Sequence, residues 1–239
     1  MSPLPRRAII AVTSATAPLH DGQPTGLFIS EALHPFRDFR AAGFEVDLVS
    51  EKGTYVADWL SQTPDFLNGD DKKQWDDLKG EFRQKLDNMP AVDTIDGSKY
   101  GIFFASAGHA ALIDYPHAKG LQKIATDVWV NGGVVSAVCH GAAIYPGVID
   151  PETGKSIVAG KTITGFTTEG ESDMHIMEPI RSWGEPLIDE WAEKLGAKYV
   201  RSKGVWDDFH IVDGRVVTGM NPQSAHSTAK ATLEVFGKL

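Results

Sequence analysis

The sequence has a single cysteine among its 239 residues, so the chain can form no internal disulfide bond. It also has no run of about 18 apolar residues, the length that a membrane-spanning helix requires, and no block of lysine or arginine. The formal net charge is −9, which disfavours nucleic acids and anionic membranes as partners. No targeting segment is evident, and a lone thiol suits a reducing compartment, so we expect a cytoplasmic protein.

Motifs for common cofactors are absent too. No G-x-G-x-x-G motif follows the first apolar segment and no G-x-x-x-x-G-K-[ST] motif occurs, which disfavours nicotinamide and ATP sites. The eight histidines are scattered, without an H-E-x-x-H motif or a cysteine pair. We therefore expect no cofactor and no catalytic metal, while a zinc site built from distant histidines and acids stays open.

What the sequence does contain is an alternation of strand and helix patterns. An apolar run at 7–13 and an alternating segment at 44–50 predict two strands around a helix at 27–42, which is a right-handed βαβ unit. Later patterns predict strands at 100–106, 134–138 and 161–166, helices at 119–130 and 185–195, a hairpin at 209–220, and a last helix opened by Asn221-Pro222. The order predicts a three-layer α/β sandwich with a mostly parallel central sheet.

Residues 55–96 interrupt this alternation. The stretch is polar but rich in aromatic side chains, and residues 71–86 have the pattern of a charged amphipathic helix. Insertions of this kind in α/β enzymes often lie over the active site. We therefore expect a single domain, residues 1–239, with a small helical cap insert at about 55–96.

Cys139 lies where the strand at 134–138 is expected to turn into a helix. The small residues Ala137 and Gly141 flank it, as in the cysteine form of a nucleophile elbow, where larger side chains would collide. The start of a helix would lower the pKa of the thiol and favour the thiolate. A small apolar core residue is the alternative, but the strand–turn–helix context and the adjacent His140 favour a nucleophile.

Several longer segments carry a family resemblance. They are residues 25–36, 65–69, 103–109, 137–141, 164–166, 170–171, 206–208, 217–222 and 224–227. Together they resemble the ThiJ/PfpI superfamily (class I glutamine amidotransferase-like), and within it the fungal heat-shock-chaperone-type glutathione-independent glyoxalases, or glyoxalase III. The likeness extends from Ala8 to Leu233 and implies a flavodoxin-like or amidotransferase-like fold.

By position, the resemblance implies roles for four side chains. Cys139 corresponds to the nucleophile, His140 to the neighbouring histidine and Glu171 to the acid behind that histidine. The acid of the first helix, which contacts the cysteine in the family, corresponds to Glu31. The residues themselves add Gly108, whose backbone N–H is a candidate oxyanion donor at a strand end.

The acids have other interpretations, and so does His109, the histidine next to Gly108. Glu31 could be a charge at a helix N-terminus, and if it is buried it needs a partner or a proton and a raised pKa. Glu169, Glu171 and Asp173 share one loop, where solvated carboxylates are usual, and the residue pattern alone does not choose among them. His109 is interpreted as pocket wall or as structural.

The resemblance implies a lyase, D-lactate dehydratase, that converts methylglyoxal to D-lactate without a cofactor. It further implies small dicarbonyl substrates (methylglyoxal and glyoxal), a role in the stress response and a homodimer. One soft nucleophile beside a histidine suits that chemistry. Two alternatives stay open: a holdase-type stress chaperone, which needs an exposed apolar patch, and a cysteine peptidase or amidase that uses the same elbow.

Overall fold

A six-stranded sheet forms the middle layer of the protein, for which a computed structural model describes residues 3–239. Its strands are β1 (Arg7–Val12), β2 (Glu45–Ser50), β3 (Ile102–Ala105), β4 (Val134–Val138), β5 (His210–Asp213) and β6 (Val216–Gly219). They lie side by side in the order β5-β6-β4-β3-β1-β2. Each pairs in parallel with its neighbours except β5, which forms an antiparallel hairpin with β6.

Helices flank the sheet. They are α1 (Ile29–Ala41), α2 (Gly69–Asp76), α3 (Glu81–Asp87), α4 (Ala111–Asp114), α5 (Lys119–Val130), α6 (Thr168–Asp173), α7 (Met177–Ser182), α8 (Ile188–Lys194) and α9 (Ala225–Phe236). Helices on the faces require strands that are buried on both sides, and β3 and β4 are buried along their whole length. This confirms the predicted three-layer α/β sandwich.

The register of the sheet aligns the strand ends that carry the site. Ala11, Ala105 and Ala137 lie next to one another on β1, β3 and β4. Because these strands are parallel, the residues that follow each of them emerge at the same edge of the sheet. Cys139 and the turn at 107–109 are therefore neighbours in space.

Two predicted elements are wrong. The single helix at 71–86 is two helices, because the Asp77 carboxylate takes the backbone N–H of Lys79 at 3.1 Å and breaks the helix there. The strand at 161–166 shrinks to Thr162–Ile163, paired with Lys198–Tyr199. Within 161–166, the backbone N–H groups of Thr162 and Thr164 donate to side chains of the β5–β6 hairpin instead of the carbonyl groups of a neighbouring strand. The remaining short strands pair as Ala17–Pro18 with Pro24–Thr25 and Ile149–Asp150 with Lys155–Ser156.

The segment predicted as a cap divides into two parts. Its first part lies against the loop before α1, where Leu27 exchanges backbone hydrogen bonds with Val56 and Asp58. Its second part packs elsewhere: α2 pairs with α1 through Asp71, and α3 reaches edge strand β2 through Lys85. Only the first part approaches the end of the sheet where Cys139 lies, and the division of the chain into domain and cap stays a prediction.

Within residues 3–239, none of the helices combines the length and the apolar character needed to span a membrane.

Candidate active site

Cys139 occupies a strained turn at the carboxyl end of β4. Its φ angle is 58°, in the left-handed region that residues other than glycine seldom adopt. A 3-10 helix, Cys139–Gly147, follows at once. The turn presses Gly141 against β3, where a Cβ atom would lie 2.3 Å from the carbonyl oxygen of Ala105. The requirement for a small residue at this position is therefore a steric one, and backbone strain of this kind is typical of nucleophile elbows.

We expect Gly141→Ala to lower the free energy of unfolding by about 1–3 kcal/mol, because the turn or β3 must shift to admit the methyl group. Urea denaturation followed by circular dichroism measures this. Gly237→Ala is the matched control, since a Cβ there would lie 3.4 Å from its nearest neighbour, an ordinary contact. Equal destabilisation by both substitutions would contradict the steric account of the elbow.

A hydrogen-bonded chain runs from the sulfur of Cys139 to Glu171. The Sγ atom lies 3.2 Å from Nδ1 of His140, and Nε2 of His140 lies 2.6 Å from Oε1 of Glu171. An ionised carboxylate only accepts hydrogen bonds, so Nε2 carries the proton and Nδ1 offers its lone pair to the thiol. Helix α6 presents Glu171, whereas Glu169 pairs with Arg201 at the surface. The structure thus brings together Cys139, His140 and Glu171.

Glu171 also binds a second histidine. Its Oε2 atom lies 3.1 Å from Nε2 of His109, and all three side chains are buried. Burial opposes charge on Glu171, but the two histidines outweigh it and lower the pKa of the carboxyl group. Burial and the nearby His109 lower the pKa of His140, which keeps that ring neutral and able to accept a proton. His109, interpreted as pocket wall or structural, therefore holds the same carboxylate that orients His140.

Glu31 is completely buried in the first turn of α1, beside Cys139. Its Oε2 atom accepts the backbone N–H of Ala107 at 3.0 Å. The other oxygen, Oε1, has no hydrogen-bond partner of good geometry among residues 3–239, although the carboxyl group lies close enough to interact with the thiol. Burial raises the pKa of Glu31 to about 8, so the group is mostly a neutral carboxylic acid at pH 7. A neutral acid can donate a hydrogen bond to sulfur.

The expectation of a low thiol pKa at Cys139 is wrong for this state of the protein. Burial raises the pKa well above its usual value, and the Glu31 carboxyl group raises it further when it is ionised. The backbone N–H of His140 has the opposite effect but does not compensate. The site therefore holds a protonated thiol with a proton acceptor on one side, His140, and a proton donor on the other, Glu31.

Gly108 follows β3 at the same edge of the sheet. Its φ angle of 145° and a Cβ position only 2.0 Å from the carbonyl oxygen of Gly26 leave room for glycine alone. Its N–H donates no hydrogen bond among residues 3–239. The role of oxyanion donor stays a prediction, as do the catalytic roles of the other four predicted residues.

Aromatic side chains wall the site. The ring of Phe166 lies 5.0 Å from that of His140 and 5.7 Å from Trp206, and Trp206 lies 5.9 Å from Phe66 in the predicted cap. Trp206 is 37% exposed, whereas Cys139 is only 3% exposed. Cys139 is thus buried close to a cluster of aromatic side chains, of which Trp206 is the most exposed member.

Two more polar side chains, which sequence reasoning missed, lie near His109. One ligand atom each of His20, Asp58 and His109 come within 4.8 Å of one another. His109, His140 and Glu171 form a second group of this kind. The three members of the first group come from distant segments of the chain, and their spacing in the sequence matches no motif that could have revealed them.

The sheet, the elbow and the buried histidine–glutamate pair define an α/β protein with a cysteine as candidate nucleophile. The ThiJ/PfpI domain protein from Brachyspira murdochii has this fold, with a TM-score of 0.57 at 14% identity over 99% of each chain. No protein-family model matches the chain.

Two closer relatives show the particular family. The glutathione-independent glyoxalase HSP31 of Saccharomyces cerevisiae is 46% identical over 233 residues, which are 97% of this chain and 98% of the relative. The crystal structure of glyoxalase III from Candida albicans matches with a TM-score of 0.94 at 48% identity, covering 96% of this chain and 97% of that one. The chain belongs to the family of glutathione-independent glyoxalases.

Proposed function

We propose that the protein converts methylglyoxal and water to D-lactate without glutathione, using Cys139 as the nucleophile. The observation that carries this proposal is the buried chain of contacts, 3.2 Å from sulfur to His140 and 2.6 Å from His140 to Glu171. Glyoxalase chemistry needs a nucleophile and a base that can move a proton between adjacent carbons. A single thiol and a single oriented imidazole supply both.

In the first step the thiol adds to the aldehyde carbon, C1. Nδ1 of His140 takes the thiol proton as the S–C1 bond forms and the C1=O π bond breaks, and it then passes that proton to the new oxygen atom. The product is a hemithioacetal, and His140 is neutral again. The protonated Glu31 stabilises negative charge on sulfur by donating a hydrogen bond.

In the second step a proton moves from C1 to C2. His140 removes the C1 proton to give an enediol and returns a proton to C2, so C1 is oxidised to a thioester while the C2 carbonyl is reduced to an alcohol. Water then adds to C1, the C1–S bond breaks and the thiol is restored. Glu171 keeps Nδ1 of His140 directed at the reacting atoms, and the N–H groups of Gly108 and His140 stabilise the oxyanions.

We also propose that the protein acts in the cytoplasm as a homodimer, in the stress response, on small dicarbonyls that include glyoxal. The lone cysteine supports a reducing compartment. The net charge of −9 argues against nucleic acid or membrane as partners. The burial of Cys139 close to aromatic side chains supports a small substrate rather than a folded polypeptide.

Consumption of methylglyoxal by the purified protein in thiol-free buffer tests the proposal against its two alternatives. We expect turnover of methylglyoxal and glyoxal, and no cleavage of peptide or amide substrates. Suppression of aggregation of a heated client protein measures holdase activity in parallel. Peptide cleavage without methylglyoxal turnover would support the peptidase, and aggregation suppression that persists in an inactive Cys139→Ser protein would support the holdase.

We expect Glu171→Gln to lower kcat by about 100-fold, because an amide cannot accept a hydrogen bond from both histidines and the tautomer of His140 is no longer fixed. Steady-state kinetics with methylglyoxal measures this. Glu169→Gln is the matched control from the same helix, and its activity should equal that of the wild type. Full activity of Glu171→Gln together with an inactive Glu169→Gln or Asp173→Asn would show that the third residue is assigned wrongly.

A further inference from the structure

Three side chains near the candidate active site, those of His20, Asp58 and His109, lie close together. Each has one buried polar atom without a hydrogen-bond partner among residues 3–239, namely Nε2 of His20, Oδ2 of Asp58 and Nδ1 of His109. Asp58 is fully buried and His109 is 4% exposed. Buried polar atoms nearly always have partners, so three neighbouring side chains with one unpartnered atom each are suited to share a ligand.

The surrounding contacts hold these atoms in position. The other carboxylate oxygen of Asp58, Oδ1, accepts the backbone N–H of Ser61 at 3.1 Å, which fixes the side chain and leaves Oδ2 available. The rings of His20 and His109 meet edge to face, with 5.7 Å between their centroids. The group is therefore built from a loop before α1, a loop after β2 and the turn after β3.

His109 has the arrangement typical of a metal-ligating histidine. Its Nε2–H donates to Glu171, so Nδ1, the atom without a partner, carries the lone pair of the neutral ring, and a metal ion would displace the second proton from the charged ring. A carboxylate that binds the far nitrogen of a ligating histidine fixes its tautomer and makes it a stronger ligand. Two imidazoles and one carboxylate match the ligand preferences of zinc and similar divalent ions.

The second group, His109 with His140 and Glu171, is a poorer candidate. Its facing atoms are already joined, at 2.6 Å from His140 to Glu171 and at 3.1 Å from His109 to Glu171. A metal ion there would have to break both hydrogen bonds. A metal ion bound by His20 and Asp58 would instead give a partner to polar atoms that are otherwise buried without a hydrogen bond, which costs free energy.

We propose that His20, Asp58 and His109 form a binding site for one divalent transition-metal ion of the zinc class, with at least one coordination position left for water or another small ligand. The site goes beyond the proposed glyoxalase function, and it is of the kind that the sequence left open, a zinc site built from distant histidines and acids. A metal ion on Nδ1 of His109 would hold the Nε2–H of that ring toward Glu171. It would thereby position the carboxylate that orients His140.

Titration of the chelator-treated full-length protein with Co²⁺, followed by visible absorption, tests the site without any measurement of turnover. We expect one Co²⁺ ion per chain, with the intense visible bands of a four- or five-coordinate ion, and displacement by Zn²⁺. His20→Phe preserves the aromatic contacts, and Asp58→Asn preserves the hydrogen bond to Ser61. Each should weaken Co²⁺ binding by about 100-fold or more, since each removes a ligand.

Three further variants make the result specific. His117→Phe is the matched control, because His117 also pairs with a carboxylate, Glu185 at 2.6 Å, but lies at the surface away from the group. It should bind Co²⁺ like the wild type. Cys139→Ser should retain the same spectrum, since sulfur is not a ligand. Glu171→Gln should weaken binding by at least about 10-fold through His109.

The proposal is overturned if the wild-type protein binds no stoichiometric Co²⁺. It is equally overturned if His20→Phe and Asp58→Asn, shown to be folded by circular dichroism, both bind the ion as tightly as the wild type. Loss of Co²⁺ binding in Cys139→Ser would show that the thiol is a ligand of the ion, and this result would also contradict the proposal. Because none of these measurements uses methylglyoxal, failure of the metal site is distinguishable from failure of the proposed enzymatic function.

Discussion

Replacing Cys139 by serine is expected to lower kcat/KM for methylglyoxal by about 10,000-fold or more, which would leave activity near background. The hydroxyl group keeps its place beside His140, but its oxygen is a far weaker nucleophile than sulfur and a poorer leaving group when the ester is hydrolysed. The measurement is disappearance of methylglyoxal in thiol-free buffer.

The serine variant should fold like the wild type, because the exchanged atoms are similar in size and the left-handed backbone at Cys139 is unchanged. Circular dichroism and the midpoint of thermal unfolding serve as the controls. If a folded Cys139→Ser protein kept its rate within tenfold of the wild type, sulfur could not be the attacking atom.

Replacing Glu31 by alanine is expected to lower kcat by about 1,000-fold, the effect of removing a buried donor to developing negative charge. Glu31→Gln keeps an N–H donor and can still accept the N–H of Ala107, so it should recover a substantial part of the rate. Recovery by glutamine separates hydrogen-bond donation from a purely structural role of the carboxyl group. Equal loss of activity in the two variants would contradict this role.

The wild type and Glu31→Gln should also differ in the pH dependence of kcat/KM. Because Glu31 has a pKa of about 8, it is a neutral donor below that pH and becomes an anion above it, beside the sulfur that must become negative. The kcat/KM of the wild type should therefore fall as the pH rises through about 8. Glu31→Gln has no proton to lose at this position, so that fall should be absent from its profile.

Local patterns in the sequence predicted most of the fold. The helix at 119–130 and the strand at 134–138 match α5 and β4 within the same bounds, because continuous apolar runs and helical spacing depend on near neighbours. The predicted strand at 161–166 failed for a non-local reason. The side chains of Asp213 and Thr218 take the N–H groups of Thr162 and Thr164, and no pattern within 161–166 could show this.

The features of the candidate site that the sequence predicted are likewise the local ones, and those it missed depend on distant residues. The elbow around Cys139 is contiguous in sequence, so small residues at fixed offsets from the cysteine were enough to predict it. The pKa of its thiol depends on burial and on Glu31, a residue 108 positions away, and the local argument from a helix start gave the wrong direction. His20, Asp58 and His109 come together only when the loops fold over the sheet edge.

The most direct test of the central claim is the amount and stereochemistry of lactate formed from methylglyoxal by the purified wild-type protein, with no glutathione or other thiol present. The proposed reaction predicts one D-lactate for each methylglyoxal consumed, and none with the Cys139→Ser protein. Consumption of methylglyoxal without formation of D-lactate, or equal D-lactate formation by Cys139→Ser, would contradict a glyoxalase reaction that proceeds through Cys139.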